Sequence, residues 1–167
     1  EAIEKTEAAS GIRFAIRHCA NCGAMINYPE MYLDMVRPGL ALYGMFPNGE
    51  RDKLSLAPAM ELKSRIVAVS EYEAGDSVSY GCTFTADKKM RVAVLPIGYA
   101  DGFNRRLSNG VGKVWINGRL APVIGNICMD MCMVDVTDLE ASEGDSVVLF
   151  GEGISLTEVA HKLGTIP

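Results

Sequence analysis

No run of apolar residues approaches the roughly 18 that a membrane-spanning helix needs, so the sequence predicts no membrane as partner. Positive charge is also in short supply. Sixteen Lys and Arg against 21 Asp and Glu give a formal net charge of −5. Nucleic acids and anionic bilayers are held by clustered Lys and Arg, so neither is expected to bind. Cysteine is too sparse for a secreted disulfide scaffold; the five present, an odd number among apolar neighbours, point to reduced thiols. There is no opening methionine, and the acidic start Glu1-Ala2-Ile3-Glu4 is unlike a signal peptide. A cytoplasmic location follows as the expectation. What is plentiful is apolar: 49% of 167 residues, enough to bury a core in one domain or two small ones.

Two cysteine clusters raise the question of a metal. Cys19-Ala20-Asn21-Cys22-Gly23 has the Cys-x-x-Cys-Gly form of a zinc knuckle, whereas Cys128-Met129-Asp130-Met131-Cys132 has one residue too many between its thiols. On a strand, Cys128 and Cys132 share a face roughly 13 Å apart. Thiols so spaced cannot hold one tetrahedral ion, and no metal is expected.

Residues 1–10 hold helix formers closed by Gly11, a C-cap, so the chain opens as if inside a helix. Arg13 to Arg17 reads as a short strand, Ala24 to Met35 as a helix interrupted at Tyr28-Pro29, and Val36 to Gly44 as a buried strand. This alternation predicts the end of a parallel α/β arrangement. From Met60 the pattern changes. Met60, Leu62, Ile66 and Ala68 alternate with Glu61, Lys63 and Arg65, as in a half-buried antiparallel strand. Further strands are predicted over 77–84, 90–96, 111–116, 120–124, 130–136 and 146–150. Asn117-Gly118 is a hairpin signal, and Glu143-Gly144-Asp145 echoes the turn at Glu73 to Asp76. So many short strands imply a closed or nearly closed antiparallel β-barrel. Ser155-Leu156-Thr157-Glu158 is a capping box that opens a last helix. Asn48 to Ser55, polar and poor in apolar residues, is the candidate linker.

Three stretches carry candidate chemistry. In Val36-Arg37-Pro38-Gly39-Leu40, a buried Arg37 needs an acceptor, and the backbone at Gly39 and Leu40 can approach a ligand closely because Gly has no Cβ. The stretch reads as an anion cradle or as a surface turn before a core strand. Pro96 to Arg106 is too polar for core and too long for a tight turn, and such loops on rigid strands collect binding groups. Tyr99 there is equally a packing residue, and Arg105 with Arg106 a solvated pair. Val78-Ser79-Tyr80-Gly81 sets a tyrosine at a strand's start, where it serves as core or, beside cationic groups, as an acid or base.

Taken in order, His18-Cys19-Ala20-Asn21, Val36-Arg37-Pro38-Gly39 through Tyr43-Gly44, Val78-Ser79-Tyr80-Gly81, Pro96-Ile97-Gly98-Tyr99-Ala100-Asp101-Gly102 and Gly125-Asn126-Ile127-Cys128-Met129-Asp130 resemble the alanine racemases. The resemblance spans nearly the whole chain. It implies a mainly β fold: residues 1–44 as the last part of a (β/α)8 barrel that binds pyridoxal 5′-phosphate, and residues 45–167 as the family's C-terminal β-domain without its last segment. It also implies a homodimer that interconverts L- and D-alanine.

The resemblance assigns site residues as well. Asn21, Gly39 and Leu40 fall where such barrels hold the cofactor phosphate, with Cys22 at a position the family usually fills with Ser. Arg37 faces the cofactor's pyridine nitrogen without giving it a proton, and His18 supports Arg37. Tyr80 matches the catalytic tyrosine lent to the neighbouring subunit, the Met129 amide and Asp130 fall at the substrate carboxylate site, and Tyr99 with Arg105 lines its mouth. None of Lys5, Lys53, Lys63, Lys88, Lys89, Lys113 or Lys162 lies in the family's lysine motif. By that measure the chain alone is expected to be inactive. Two other readings stay open: a racemase of the same fold acting on serine, and a non-catalytic β-barrel contact module.

Overall fold

The computed structural model describes residues 1–47 and 54–167. Most of the candidate linker, residues 48–53, therefore lies outside the described residues. The chain divides into two compact units, Glu1–Met60 and Glu61–Pro167.

In the first unit, helix α1 (Ala2–Ser10) ends where Gly11 turns left-handed, at φ 72°, and its amide donates to Glu7 O. Helix α2 (Cys22–Asn27) is opened by the Asn21 side chain, which accepts from the Ala24 amide. It stops at Tyr28, and a 3-10 turn over Pro29–Met31 follows. This is the expected helix, begun two residues earlier and broken at the expected place.

The two expected strands are absent. Residues 13–17 are irregular, and Leu40–Tyr43 forms a 3-10 turn. Their alignment is nonetheless parallel: the Asp34 amide donates to Arg17 O and the Arg37 amide to Ala20 O, both over 17 residues. Asp34 reinforces this link, accepting from the Arg17 amide at 2.9 Å and from Arg17 Nε at 3.0 Å. A parallel strand is stable when flanked and covered. Here two backbone bonds join the segments, and Ile12, Phe14 and Ile16 remain 61%, 47% and 58% exposed.

The second unit is an antiparallel sheet in the order β1-β9-β6-β7-β8-β5-β2. Its strands are β1 (Leu62–Arg65), β2 (Ala68–Tyr72), β5 (Met90–Leu95), β6 (Lys113–Ile116), β7 (Arg119–Ile124), β8 (Cys132–Asp135) and β9 (Ser146–Phe150), with β3 (Ser77–Val78) and β4 (Phe84–Thr85) paired apart from it. The single strand expected over 60–72 is broken in two. At the break the Ile66 amide donates to Asp145 O and the Val67 amide to Val94 O. One continuous stretch thus joins the first and last strands of the order, and this is what wraps the sheet into a barrel-like form.

Inside lie Val114, Ile116, Ala121, Val123, Val134 and Val147, all wholly buried. Val114, Ile116 and Ala121 alternate with exposed or half-buried neighbours, the pattern of a one-faced sheet, whereas β8 and β9 each bury three residues in succession. Asn117 and Gly118, at φ 47° and 83°, make the expected two-residue hairpin between β6 and β7. Asp76 and Asp145 each accept an amide three residues back, from Glu73 and Ser142, so the two echoing turns share one mechanism. Helix α3 (Leu156–Leu163) starts with Ser155 Oγ accepting from the Glu158 amide and packs Val159 and Leu163 on the core.

Candidate functional site

Two places collect the residues singled out above. The first is in unit one, where the amides of Gly39 and Ala41 donate to Cys22 Sγ at 2.8 and 3.4 Å. The opening amides of a helical turn have no partner within it, which is why they converge on a side chain at the start of α2. The Leu40 amide donates to no group among the described residues. Of the three successive amides, those of Gly39 and Ala41 are thus taken by the thiol and that of Leu40 is left open; Ala41 was not singled out in the sequence. Asn21 caps α2. His18 and Arg37 are exposed, and no hydrogen bond joins them among the described residues; the link between their segments is the Arg37 amide to Ala20 O. Two amides aimed at one atom, with a third between them unpartnered among the described residues, are an arrangement of donors that suits an anion.

The second place is a cavity of about 770 Å³ in unit two, lined among others by Tyr80, Tyr99, Arg105, Met129 and Asp130. All five substrate-side and catalytic candidates meet here, although they come from three separate loops. The residues expected to continue a strand over 77–84 instead form a 3-10 turn over Tyr80–Cys82. A distant segment packs tightly against this turn. A Cβ on Gly125 would lie 2.7 Å from Ser79 Cβ, so the two backbones touch, and Ser79 adopts φ 70°. Gly81 and Cys82 follow with φ 77° and 48°. Successive left-handed residues cost about 1–3 kcal/mol each where not glycine and gather at functional sites. The effect is to lift Tyr80 out of the ribbon, 75% exposed.

The opposite wall is fixed just as closely. The amides of Tyr99 and Ala100 donate to Cys128 O and Met129 O at 3.0 and 2.9 Å. Gly98 permits this, because a Cβ there would fall 2.4 Å from both of those backbones. The loop then reverses through the Cys128 amide donating to Met131 O, so Cys128 lies in the loop and Cys132 opens β8. The Met129 amide donates to no group among the described residues and is available to a ligand. Ser108, buried, donates from Oγ to Arg105 O and accepts from the Ile127 amide, tying the Arg105 turn to the same loop. Burial pushes the Cys132 thiol up to about 12, aided by nearby Cys128, so Cys132 is an inert core residue. Sequence reasoning missed Ser79, Ser108 and Gly125 as supports; a serine inside a polar loop gives no local sign of a distant partner.

The sequence matches the family description "Alanine racemase, C-terminal domain" over residues 59–167 and "Alanine racemase, N-terminal domain" over residues 1–47. An alanine racemase of Desulforamulus reducens is 49% identical over 160 residues, covering 93% of this chain and 43% of that protein. The alanine racemase of Clostridium difficile 630 in complex with cycloserine is 42% identical, with a TM-score of 0.91 over 98% of this chain and 44% of that one. That of Bartonella henselae, with covalently bound pyridoxal phosphate, is 34% identical, with a TM-score of 0.84 over 98% of this chain and 45% of that one. The chain thus spans less than half the length of these relatives. With both family domains matched in order, the chain belongs to the alanine racemase family.

Proposed function

We propose that this chain serves a pyridoxal-phosphate-dependent racemase that interconverts L- and D-alanine, with Tyr80 as one of its two bases. The observation that carries the reading is the gathering of Tyr80, Met129 and Arg105 around one open cavity, with the tyrosine held out on a backbone of unusual conformation. Residues 1–44 are read as the last part of a (β/α)8 barrel and residues 45–167 as the β-domain.

Bound at the cradle, pyridoxal phosphate supplies an electron-withdrawing ring that acidifies the hydrogen on the substrate's Cα. The Leu40 amide would hold its phosphate, joined by the Gly39 and Ala41 amides on exchanging Cys22 Sγ for a phosphate oxygen, with Asn21 fixing the start of α2. Cys22 adds less than a serine would, because a thiol is a weak donor. Arg37 keeps its proton at any working pH and gives none to the ring nitrogen, with His18 as its support. By withholding that proton, Arg37 would limit side reactions such as transamination.

Racemisation removes a proton from one face of Cα and delivers one to the other. The Tyr80 oxygen serves one face, accepting the proton from one enantiomer and returning it when the reaction runs backwards. The Met129 amide, with Asp130 beside it, orients the carboxylate; Arg105 attracts it, and Tyr99 narrows the mouth. None of the chain's own lysines fits the role of second base. In this reading two copies pair, each lending Tyr80 and Met129 to the other's cofactor, and such docking would cover these exposed side chains. The five free cysteines agree with a reducing, cytoplasmic setting.

The test is D-alanine formation from L-alanine by the whole protein with pyridoxal phosphate, with L-serine assayed alongside. Tyr80→Phe is expected to lower kcat by about 10²- to 10⁴-fold without changing cofactor binding. A contact module tolerates the loss of one hydroxyl, so unchanged turnover would overturn the reading.

A further inference from the structure

Tyr80 is presented to the cavity without a hydrogen bond from its own hydroxyl among the described residues, so whatever fixes it must act on the backbone. One residue does so from two sides. The Asn126 side chain donates from Nδ2 to Tyr80 O at 2.9 Å, and its backbone carbonyl accepts from Ser79 Oγ at 2.6 Å. Asn126 is itself held: its Oδ1 accepts from Asn109 Nδ2 at 3.2 Å, and the Asn109 amide donates to Gly125 O at 3.0 Å. Three loops therefore meet at one side chain, and Asn126 is the member that reaches the tyrosine.

We propose that Asn126 is the positioning residue for Tyr80, setting where the phenol stands relative to a substrate. The inference rests on the reading of Tyr80 as a base and adds the device that aims it. The chemistry is specific to an amide. Oδ1 must accept from Asn109 while Nδ2 donates to the Tyr80 carbonyl, and a carboxylate or hydroxyl of similar size cannot do both in this arrangement. Positive φ at Ser79 and Cys82, neither of them glycine, makes the loop costly to hold. When the Asn126 bonds are lost, Ser79 and Cys82 are expected to relax and Tyr80 to move with them.

Asn126→Asp separates the two bonds, since it keeps the acceptor towards Asn109 and removes the donor towards Tyr80; Ser79→Ala removes the backbone-side bond independently. In the whole protein with pyridoxal phosphate, Asn126→Asp is expected to lower kcat by about tenfold, the size of one hydrogen bond. KM for alanine should change little. With alanine deuterated at Cα, the isotope effect should rise for one enantiomer only, because Tyr80 serves one face. The equilibrium constant makes the loss in kcat/KM equal in both directions, so the isotope effects decide: a loss with both of them unmoved is a purely structural defect and would overturn the proposal. Hydrogen exchange at residues 79–83 gives a readout independent of turnover: faster exchange in Asn126→Asp and in Ser79→Ala is expected. Unchanged protection in both would overturn the proposal even in a protein that racemises nothing, whereas wild-type inactivity with lost protection would fault only the reading of Tyr80.

Discussion

The segment Arg17–Ala20 and the strand Met90–Leu95 meet the same demand, a partner for every backbone amide and carbonyl, with opposite success. The first touches Asp34–Arg37 through two amide–carbonyl bonds. The second is paired along its length with β2 on one side and β8 on the other. Side chains follow suit: Ile12, Phe14 and Ile16 are exposed, whereas Val92, Ala93 and Leu95 are buried. The difference lies in connection. β5 has an antiparallel partner on either edge, whereas a parallel segment needs crossovers and cover on both faces and here has one short neighbour. A site resting on the second region is therefore held by its own scaffold, and the loops around Tyr80 gain their definition from it.

Core deletion should separate the regions most sharply. Ile116→Ala, at a wholly buried position in β6, is expected to cost about 2–5 kcal/mol, whereas Ile16→Ala should stay within about 0.5 kcal/mol; denaturant unfolding of the two variants measures the contrast. Comparable losses would mean that Ile16 is covered in solution. A smaller effect belongs to the cavity wall. Gly98→Ala forces a Cβ into the Cys128 and Met129 backbones, and losing the two amide bonds there should cost about 1–3 kcal/mol and raise KM for alanine more than it lowers kcat.

The smallest expected effect concerns acid. The Arg17 guanidinium, through its hydrogen bond first, holds the Asp34 carboxyl below its usual value. Folding therefore gains from this ionised pair above the ordinary carboxylate range, and the gain fades as the pH falls through the lowered value. Both side chains are more than a third exposed, so the loss should be slight and salt-sensitive. Asp34→Asn should flatten the acid limb of hydrogen exchange at residues 17–20 while leaving β5 unaffected; an identical limb in wild type and variant would sever the link.

Local chemistry made some of this legible in advance. Asn117-Gly118, the Ser155 cap and the paired turns ending at Asp76 and Asp145 each carry their cause within four residues and formed as read, although of the capping box only the Ser155 half is made, Glu158 pairing with Lys162 instead. The Tyr80 loop did not, since Ser77-Val78-Ser79 alternates like any strand and the segment packed against the turn, at Gly125, is remote in sequence. The strand readings at 13–17 and 36–44 failed because apolar periodicity reports a preference while neighbours decide. For the site, family resemblance singled out Tyr80, Tyr99, Arg105, Met129 and Asp130, but only the sheet's pairing brings them to one cavity. Asn126 stood within a quoted motif without a role, because its partners, Tyr80 and Asn109, are remote in sequence.

The central claim, that Tyr80 works one face of the substrate, is most directly tested by solvent exchange at Cα. Each alanine enantiomer is incubated in D₂O with the whole protein and pyridoxal phosphate, comparing wild type with Tyr80→Phe. The variant should stop racemising, one enantiomer should still take up deuterium through the remaining base, and the other should no longer do so. Uptake by both enantiomers at wild-type rates would contradict it.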